Sequence, residues 1–481
     1  MTDPQPVAPS RDELPAVLDL VVREARAYLE SVDARPVLSQ AAETVASAFT
    51  GPLPQTGSGA ATALRELLDR GLDATATTSG PRYFHFVTGG VTPAALGADW
   101  LAGLLDQPAY AWLSSPLGVQ LELASLAWLK DLFQLPADLA GIMTTGATMA
   151  NFVGLAAARQ WWAERHGIDV SEDGFADLPP ASAFSSGHVH ASVLKVLALL
   201  GLGRQAVERF TLDSTGRLDA RGLEQALEAL EGTPAILIAN AGEVNAGAFD
   251  PIETMADLAR THDAWLHVDG AFGLFARVTP RTAALAGGAE RADSITVDGH
   301  KWLNVPYDCG FAFVRDTRLL NRAFAYDADY LPDPDDPHPT LGGIGPESSR
   351  RARALAVWAT LRAYGRSGYR SMVERHLDLA RRLARRVDEA PELERLAEVP
   401  LNIVCFRLNP GDRSEEELDA LNRALGDALV RDGRVLAGTT VYGGKVALRP
   451  ALVNWRTRPE DVDLFVDVVR DLGRRLLDRP G

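Results

Sequence analysis

The sequence predicts an α/β protein built around a mostly parallel sheet. Between about residues 140 and 315, short apolar runs of strand length alternate with longer stretches in which apolar residues recur at helical spacing. This alternation is typical of βαβ units, in which a helix connects two parallel strands. Hydrophobic residues make up 46% and charged residues 23% of the 481-residue chain, which is ordinary for a soluble globular enzyme.

The elements are expected in a simple order along the chain. Helices are predicted from Leu14 to about Val45 and from Ala60 to Leu72, separated by the loop "TGPLPQTGSG". Six strand-length runs follow, namely "GIMTT", "SAFSS", "AILIAN", "AWLHV", "DSITV" and "GFAFV". After about residue 350 come a long helix, the strands "NIVCFRLNP" and "VALRPALVN", and a closing helix with an apolar stripe of Phe465, Val469, Leu472 and Leu476. This tail has the size of a small α/β domain.

The overall charge and the cysteine content exclude several classes of protein. The net charge is −16, whereas a nucleic-acid-binding protein needs a basic face. The two cysteines, Cys309 and Cys405, imply no disulfide framework and suit a reducing, cytoplasmic setting. We expect no signal peptide and no membrane span, because no apolar stretch approaches a length of about 20 residues.

Polar or glycine-rich segments follow five of the predicted strands. In an open α/β sheet, ligands bind at the carboxyl ends of the parallel strands, so these segments are expected to face one crevice. The segments are "GATMAN" after the first strand, His188 and His190 after the second, "AGEVN" after the third, Asp269 after the fourth, and Asp298, His300 and Lys301 after the fifth.

The turn formed by Gly146, Ala147 and Thr148 is a candidate phosphate site. Small residues let backbone N–H groups approach an anion, and the N-terminus of the following helix favours negative charge. The alternative is an ordinary tight turn in which Thr148 caps the helix.

Asp269 and Lys301 are the candidate reactive groups. A carboxylate after an apolar strand needs a partner, and for Asp269 we expect a cation rather than a metal, with His267 on the opposite strand face. A lysine shielded from water is a usable amine nucleophile, although most lysines are exposed loop residues. A phosphate cradle, an acid and a shielded lysine together suit pyridoxal 5′-phosphate (PLP), whose ring His190 would stack on; otherwise His190 is a core histidine.

The motifs also resemble a known family. "HVDGAFG", the "HK" of "DGHKW" and the upstream "HASVLK" are similar to the group II PLP-dependent amino acid decarboxylases, which are fold type I enzymes that include aromatic amino acid, glutamate and diaminobutyrate decarboxylases. The resemblance extends from "PRYFHFVTGG" to "ESSRRARALAVW". It implies an N-terminal helical dimerisation segment (1–80), a large PLP-binding domain with a mostly parallel seven-stranded sheet (81–365) and a small C-terminal domain (366–481).

The resemblance also implies roles for individual residues. Lys301 would form the Schiff base with PLP, Asp269 would pair with the pyridinium nitrogen, Ala271 would pack under the ring and His190 over it. Gly146, Ala147, Thr148 and His300 would hold the phosphate, with Asp298 nearby. Tentative substrate residues are Phe86, Thr88, Gly89, Trp112, Glu243 and His338. The family forms homodimers with active sites at the subunit interface.

Four departures from the family pattern bear on the substrate. Glu243 replaces a neutral residue, and either receives a basic substrate side chain or makes a surface salt bridge. Asp298 replaces the asparagine of "NPHK" and would repel a phosphate unless it is protonated, paired or turned away. The loop "DPDDPHPTLGGIGPE" has no tyrosine, which leaves His338 as its proton donor. Gly89 and Gly90 replace aromatic residues and would leave room in the pocket.

The predicted function is therefore PLP-dependent removal of the α-carboxylate of an L-amino acid as CO2, which leaves an amine. The alternatives are an aminotransferase and an oxidative deaminase that forms an aldehyde. In an aminotransferase Arg449 would hold the substrate carboxylate; otherwise Arg449 makes a structural ion pair. A catalytically silent homologue is disfavoured because both Lys301 and Asp269 are present. A Rossmann dehydrogenase is disfavoured because no GxGxxG follows a first strand.

Overall fold

A computed structural model of the chain describes residues 9–326 and 338–478. The first α-helices within these residues are α1 (Leu14–Ser31), α2 (Ala42–Ser47) and α3 (Ala60–Gly71). The predicted helix from Leu14 to Val45 is therefore interrupted, since the connection between α1 and α2 contains Pro36. A proline disfavours helical geometry at the residue before it.

Within the described residues, seven strands form the large sheet, in the order β1-β7-β6-β5-β4-β2-β3. They are β1 (Ala140–Thr144), β2 (Ser182–Ser185), β3 (Val207–Arg209), β4 (Ala235–Asn240), β5 (Trp265–Asp269), β6 (Ser294–Asp298) and β7 (Gly310–Val314). Strands β2 to β6 pair in parallel, and β7 runs antiparallel to β1 and β6. The predicted mostly parallel, seven-stranded sheet is confirmed. The residue pattern missed β3 because this edge strand has three residues and little burial.

Helices cover both faces of this sheet and connect most of its strands. They are α4 (Pro93–Leu105), α5 (Pro116–Leu132), α6 (Ala147–Glu164), α7 (Ala191–Leu199), α8 (Ala220–Ala229), α9 (Ile252–Thr261) and α10 (Thr317–Phe324). Helix α6 is rich in alanine and mostly buried, and it packs across β6 and β7. Small side chains let it lie close to the sheet, which brings its N-terminus to the carboxyl end of β6.

A second, antiparallel sheet lies in the C-terminal part of the chain, in the order β10-β11-β9-β8. Its strands are β8 (Leu393–Arg395), β9 (Phe406–Leu408), β10 (Thr439–Tyr442) and β11 (Lys445–Leu448). Helices α11 (Ala354–Asp388), α12 (Glu415–Asp432) and α13 (Pro459–Leu477) pack with it around a separate hydrophobic core. Two of these four strands were predicted, as was the buried stripe of α13. The division at residues 80 and 365 stays a prediction, although α11 is kinked at Gly365.

None of the helices within residues 9–326 and 338–478 combines the length and the apolar character that a membrane crossing requires.

Candidate active site

A cavity of about 220 Å³ opens at the carboxyl ends of β1, β2, β4, β5 and β6. These are the five strand ends that the sequence singled out. The following predicted site residues line the cavity: Gly146, Ala147, Thr148, His190, Glu243, Asp269, Ala271, Asp298, His300 and Lys301. Residues that are far apart in the sequence therefore meet in one space, because the strands run in the same direction and end at the same edge.

Lys301 lies in the turn after β6 and is largely shielded from solvent. Its side chain is 18% exposed, and its Nζ lies 3.1 Å from Asp298 Oδ2. The ring of Phe272 lies 5.7 Å from the amine. These surroundings do not fit an exposed loop lysine.

Asp269 is the last residue of β5, and its carboxylate is held on both oxygens. The side-chain amide of Asn151 donates to Oδ2 at 3.0 Å, and the backbone N–H of Ala271 donates to Oδ1 at 3.1 Å. These hydrogen-bond donors, in the part of the chain that the structure describes, are neutral. The cationic partner that the sequence predicted for Asp269 is therefore not among these donors.

His267 lies on the same face of β5 as Asp269, which corrects the sequence prediction. Residues two apart in a strand point to the same side of the sheet. The Nε2 of His267 lies 2.9 Å from the Oδ1 of Asn151, and its Nδ1 lies 2.8 Å from Ser294 Oγ. Burial lowers the pKa of His267 to about 4, so the imidazole is neutral at pH 7. It orients the amide that in turn orients Asp269.

His190 caps the N-terminus of α7 and faces the open cavity. Its Nδ1 accepts a hydrogen bond from the backbone N–H of Ser192 at 3.2 Å and lies 2.7 Å from the hydroxyl of Ser192. The imidazole is exposed to solvent in the cavity, yet desolvation by the surrounding protein atoms lowers its pKa, and the charge of Asp269 opposes this shift. A neutral, oriented imidazole at this point suits the predicted stacking on a cofactor ring.

The predicted phosphate turn begins α6. Gly146 has φ +148°, and a Cβ built on it would lie 2.9 Å from the ring of His300 and 3.3 Å from Asp298 Oδ1. A glycine is therefore needed at this position. The helix cap is Gly146 rather than Thr148, so the alternative in which Thr148 caps the helix is wrong. The first-turn N–H groups of such a helix lack intrahelical partners and can bind an anion.

Asp298 occupies the N-terminus of α6. Its Oδ1 accepts a hydrogen bond from the backbone N–H of Ala147 at 2.6 Å and lies 3.4 Å from His300 Nε2. With Lys301 on its other oxygen, this buried carboxylate is paired. The sequence left three possibilities for Asp298, which were that it is protonated, paired or turned away. The structure shows that it is paired.

His300 lines this side of the cavity and contacts Tyr307, a residue that the sequence did not single out. Burial lowers the pKa of His300, and Asp298 opposes the shift. The ring of Tyr307 stacks on His300 with 4.1 Å between centroids, and its hydroxyl lies 3.3 Å from Thr88 Oγ1.

Glu243 is buried in the cavity wall, so the surface salt bridge that the sequence allowed is excluded. Its carboxylate accepts hydrogen bonds from the backbone N–H groups of Asn245, at 2.7 Å, and Ala246. It thus stabilises its own loop. Arg449, also buried, donates to the Val244 carbonyl in this loop at 3.2 Å.

The other tentative substrate residues do not line this cavity within a single chain. Phe86 is 60% exposed, and Trp112 stacks on His338 with 4.4 Å between centroids. The first part of the predicted proton-donor loop, residues 333–337, lies outside the described residues. Contact of Phe86, Thr88, Trp112 and His338 with the substrate stays a prediction.

The structure gives Gly89 and Gly90 a packing role instead of the pocket-widening role expected. A Cβ on Gly89 would lie 1.7 Å from the carbonyl oxygen of Lys301, and one on Gly90 would lie 2.6 Å from the amide of Asn454. Gly89 therefore lets its segment lie directly against the peptide of Lys301.

A buried contact between a histidine and a carboxylate was also missed. His188 Nδ1 lies 3.3 Å from Asp250 Oδ1, and both side chains are almost fully buried. Burial lowers the pKa of His188, but Asp250 and Glu243 outweigh this effect and raise it above its usual value. The sequence placed His188 at a strand end without assigning it a role. The residues around Asp250 contain no pattern that predicts its contact with His188.

Comparisons with known proteins agree with this geometry. The model of the pyridoxal-dependent decarboxylase conserved domain matches residues 62–409. The chain is 30% identical to an aromatic-L-amino-acid decarboxylase of Bacillus atrophaeus, covering 86% of this chain and 85% of that protein. It is 32% identical to an L-2,4-diaminobutyrate decarboxylase of Rhizobium meliloti, covering 88% and 84%.

The fold matches a solved structure of Oryza sativa TDC with PLP and tryptamine. The TM-score is 0.90 at 24% identity, and the match covers 99% of this chain and 100% of that one. The fold type I assignment is thereby confirmed. The chain belongs to the pyridoxal-dependent decarboxylase family and is a PLP-dependent carboxy-lyase.

Proposed function

We propose that this member of the pyridoxal-dependent decarboxylase family removes the α-carboxylate of an L-amino acid as CO2 and releases the corresponding amine. One observation carries the proposal: the Lys301 amine, the Asp269 carboxylate and the N-terminal turn of α6 line a single cavity. This set of an amine, an acid and an anion cradle fits PLP and its use as a cofactor.

Different residues of the cavity would hold different parts of the cofactor. Lys301 would bind the cofactor carbonyl, and Asp269 would keep a proton on the ring nitrogen. Asn151 fixes the carboxylate of Asp269 for that task. His190 would cover one ring face, and the turn at Gly146 with His300 would hold the phosphate. When bound, PLP supplies an electron sink that stabilises the charge left on Cα when CO2 departs.

The Cα atom must then receive a proton. Lys301 and His190 line the cavity and carry exchangeable protons. His338, whose ring stacks on Trp112, stays the candidate that the sequence predicted.

We propose a homodimer, with helices α1 to α3 packed on the partner subunit. The support is a set of large apolar side chains that a single chain leaves exposed: Leu14, Leu18, Leu67, Leu104 and Leu113 are each more than half exposed. Exposed apolar side chains that cluster on a surface mark protein interfaces. Light scattering should give twice the mass of one chain, and a monomer at micromolar concentration would contradict the proposal.

The test of function uses the full-length protein reconstituted with PLP. We expect CO2 release from one or a few members of a panel of L-amino acids, with the matching amine identified by mass spectrometry. Lys301→Ala should abolish release because the amine that binds the cofactor is missing. Lys195→Ala, which removes an exposed lysine of α7, should retain it.

Two results would contradict the proposal. One is a protein that shows the PLP absorbance band but releases no CO2 from any amino acid in the panel. The other is a keto acid or an aldehyde as the main product, which would favour transamination or oxidative deamination.

A further inference from the structure

We propose that Asp298 is a built-in competitor for the cofactor phosphate. Its carboxylate accepts a hydrogen bond from the backbone N–H of Ala147 at the N-terminus of α6 and pairs with Lys301, so a cofactor phosphate that used this N–H would have to displace it. This inference rests on the proposed role of the α6 turn as the phosphate site.

The contacts of Asp298 place its charge at the point where a phosphate would bind. The Oδ1 atom lies 2.6 Å from the backbone nitrogen of Ala147, the first residue of α6. The Oδ2 atom lies 3.1 Å from Lys301 Nζ, and the side chain is 4% exposed. A Cβ on Gly146 would lie 3.3 Å from Oδ1, so the carboxylate fills the space beside the turn.

A helix N-terminus favours one anion, and a second anion in contact with the first is repelled. The partial positive charge of the first turn stabilises either a carboxylate or a phosphate. Water screens the repulsion little in this cavity because Asp298 is almost fully buried. A phosphate must therefore displace the carboxylate or bind without the N–H of Ala147, and in both cases Asp298 lowers the affinity for the cofactor.

The same carboxylate stabilises the unloaded enzyme. Lys301 is shielded from water, and a shielded ammonium group without a counter-charge is costly. The cap also satisfies the N-terminus of α6, which packs across β6 and β7. Asp298 thus favours a folded cofactor-free protein at the expense of cofactor affinity.

Asp298→Asn removes the negative charge of Asp298 but keeps its shape and its ability to cap α6. The variant therefore tests the effect of the charge alone. We expect the variant to bind PLP about tenfold more tightly or better, since juxtaposed like charges are strongly unfavourable. Its cofactor-free form should melt at a lower temperature than the wild type, because Lys301 loses its counter-charge. PLP binding is followed by absorbance and melting by calorimetry.

Inorganic phosphate tests binding at the α6 turn alone, because it cannot form the bond that joins Lys301 to PLP. It should raise the melting temperature of cofactor-free Asp298→Asn more than that of the wild type. Asp219→Asn is the matched control, since Asp219 caps α8 through the N–H of Gly222 at 3.1 Å, outside the cavity. This control should leave PLP affinity and the phosphate effect unchanged.

Three results would overturn the inference: PLP binding by Asp298→Asn that is no tighter than in the wild type, a cofactor-free form that melts no lower, or equal stabilisation of both proteins by phosphate. None of these measurements depends on CO2 release. An enzyme that fails to decarboxylate can still support the inference, and an active decarboxylase can still contradict it.

Discussion

The carboxylates of Asp269 and Asp298 each have a hydrogen-bond partner that lies more than 100 residues away in the sequence. Asp269 is oriented by Asn151, which is oriented by His267. The sequence predicted Asp269 and Lys301 because both follow apolar strands, where a charge is unusual. It could not predict the role of Asn151, because a polar residue within a helical stretch does not indicate which distant residue it will hydrogen-bond.

The contribution of His190 is expected to come from its ring rather than from charge, since burial lowers its pKa. His190→Ala should weaken PLP binding about fivefold, and His190→Phe should stay within about twofold of the wild type, because stacking of aromatic rings contributes about 1 kcal/mol. Absorbance titration with PLP measures both. His262→Ala, at the end of α9, serves as the control. A phenylalanine variant as weak as the alanine variant would rule out a stacking role.

At the level of elements, the segment before α4 positions the turn that carries Lys301. The backbone N–H of Gly89 donates to the carbonyl of His300 at 3.1 Å, and that of Thr92 donates to the carbonyl of Asn304 at 3.0 Å. Two segments that are more than 200 residues apart thus form one unit. The sequence showed only glycines at this place, and a glycine is equally compatible with a wide pocket and with a close backbone contact.

Gly89→Ala should therefore destabilise the protein and weaken PLP binding, since the new Cβ overlaps the peptide of Lys301. We expect a loss of about 1–3 kcal/mol in the free energy of unfolding, which is typical of overpacking. Gly97→Ala is the matched control, because Gly97 lies inside α4 with no atom within 4 Å of the added Cβ. It should be neutral or stabilising by up to about 1 kcal/mol. Denaturant unfolding compares the two, and equal stabilities would refute the packing role.

At the level of the whole molecule, His376 of α11 links the turn after Lys301 to the C-terminal part of the chain. The indole N–H of Trp302 donates to its Nδ1 at 2.8 Å, and its Nε2 lies 2.9 Å from the carbonyl of Asn454. Since an indole N–H can only donate, Nδ1 accepts and Nε2 carries the proton. Burial lowers the pKa of His376 to about 3, so the folded protein holds it neutral.

The lowered pKa of His376 predicts that the folded protein loses stability in acid. The pKa of a histidine in the unfolded chain is about 6.5, so the stability that neutral His376 contributes is present above that pH and is lost as the pH falls toward 3. His376→Gln should be less stable than the wild type at pH 7.5, and the difference should narrow by up to about 1.4 kcal/mol per pH unit below pH 6. Urea unfolding at several pH values measures this, with His262→Gln as the control. A difference that does not change with pH would disprove it.

The sequence by itself determined the α/β class, the parallel core of the sheet and the five strand ends that carry the chemistry. These features depend on local periodicity and on the rule that parallel strands end at the same edge. Only the tertiary structure decided that Asp298 caps α6 across 151 residues of sequence, that His267 shares a face with Asp269 in contact with Asn151, and that Gly89 lies against Lys301. Such contacts depend on how helices and loops pack on the sheet. The type of a residue alone does not predict which residue, far away in the sequence, it will contact.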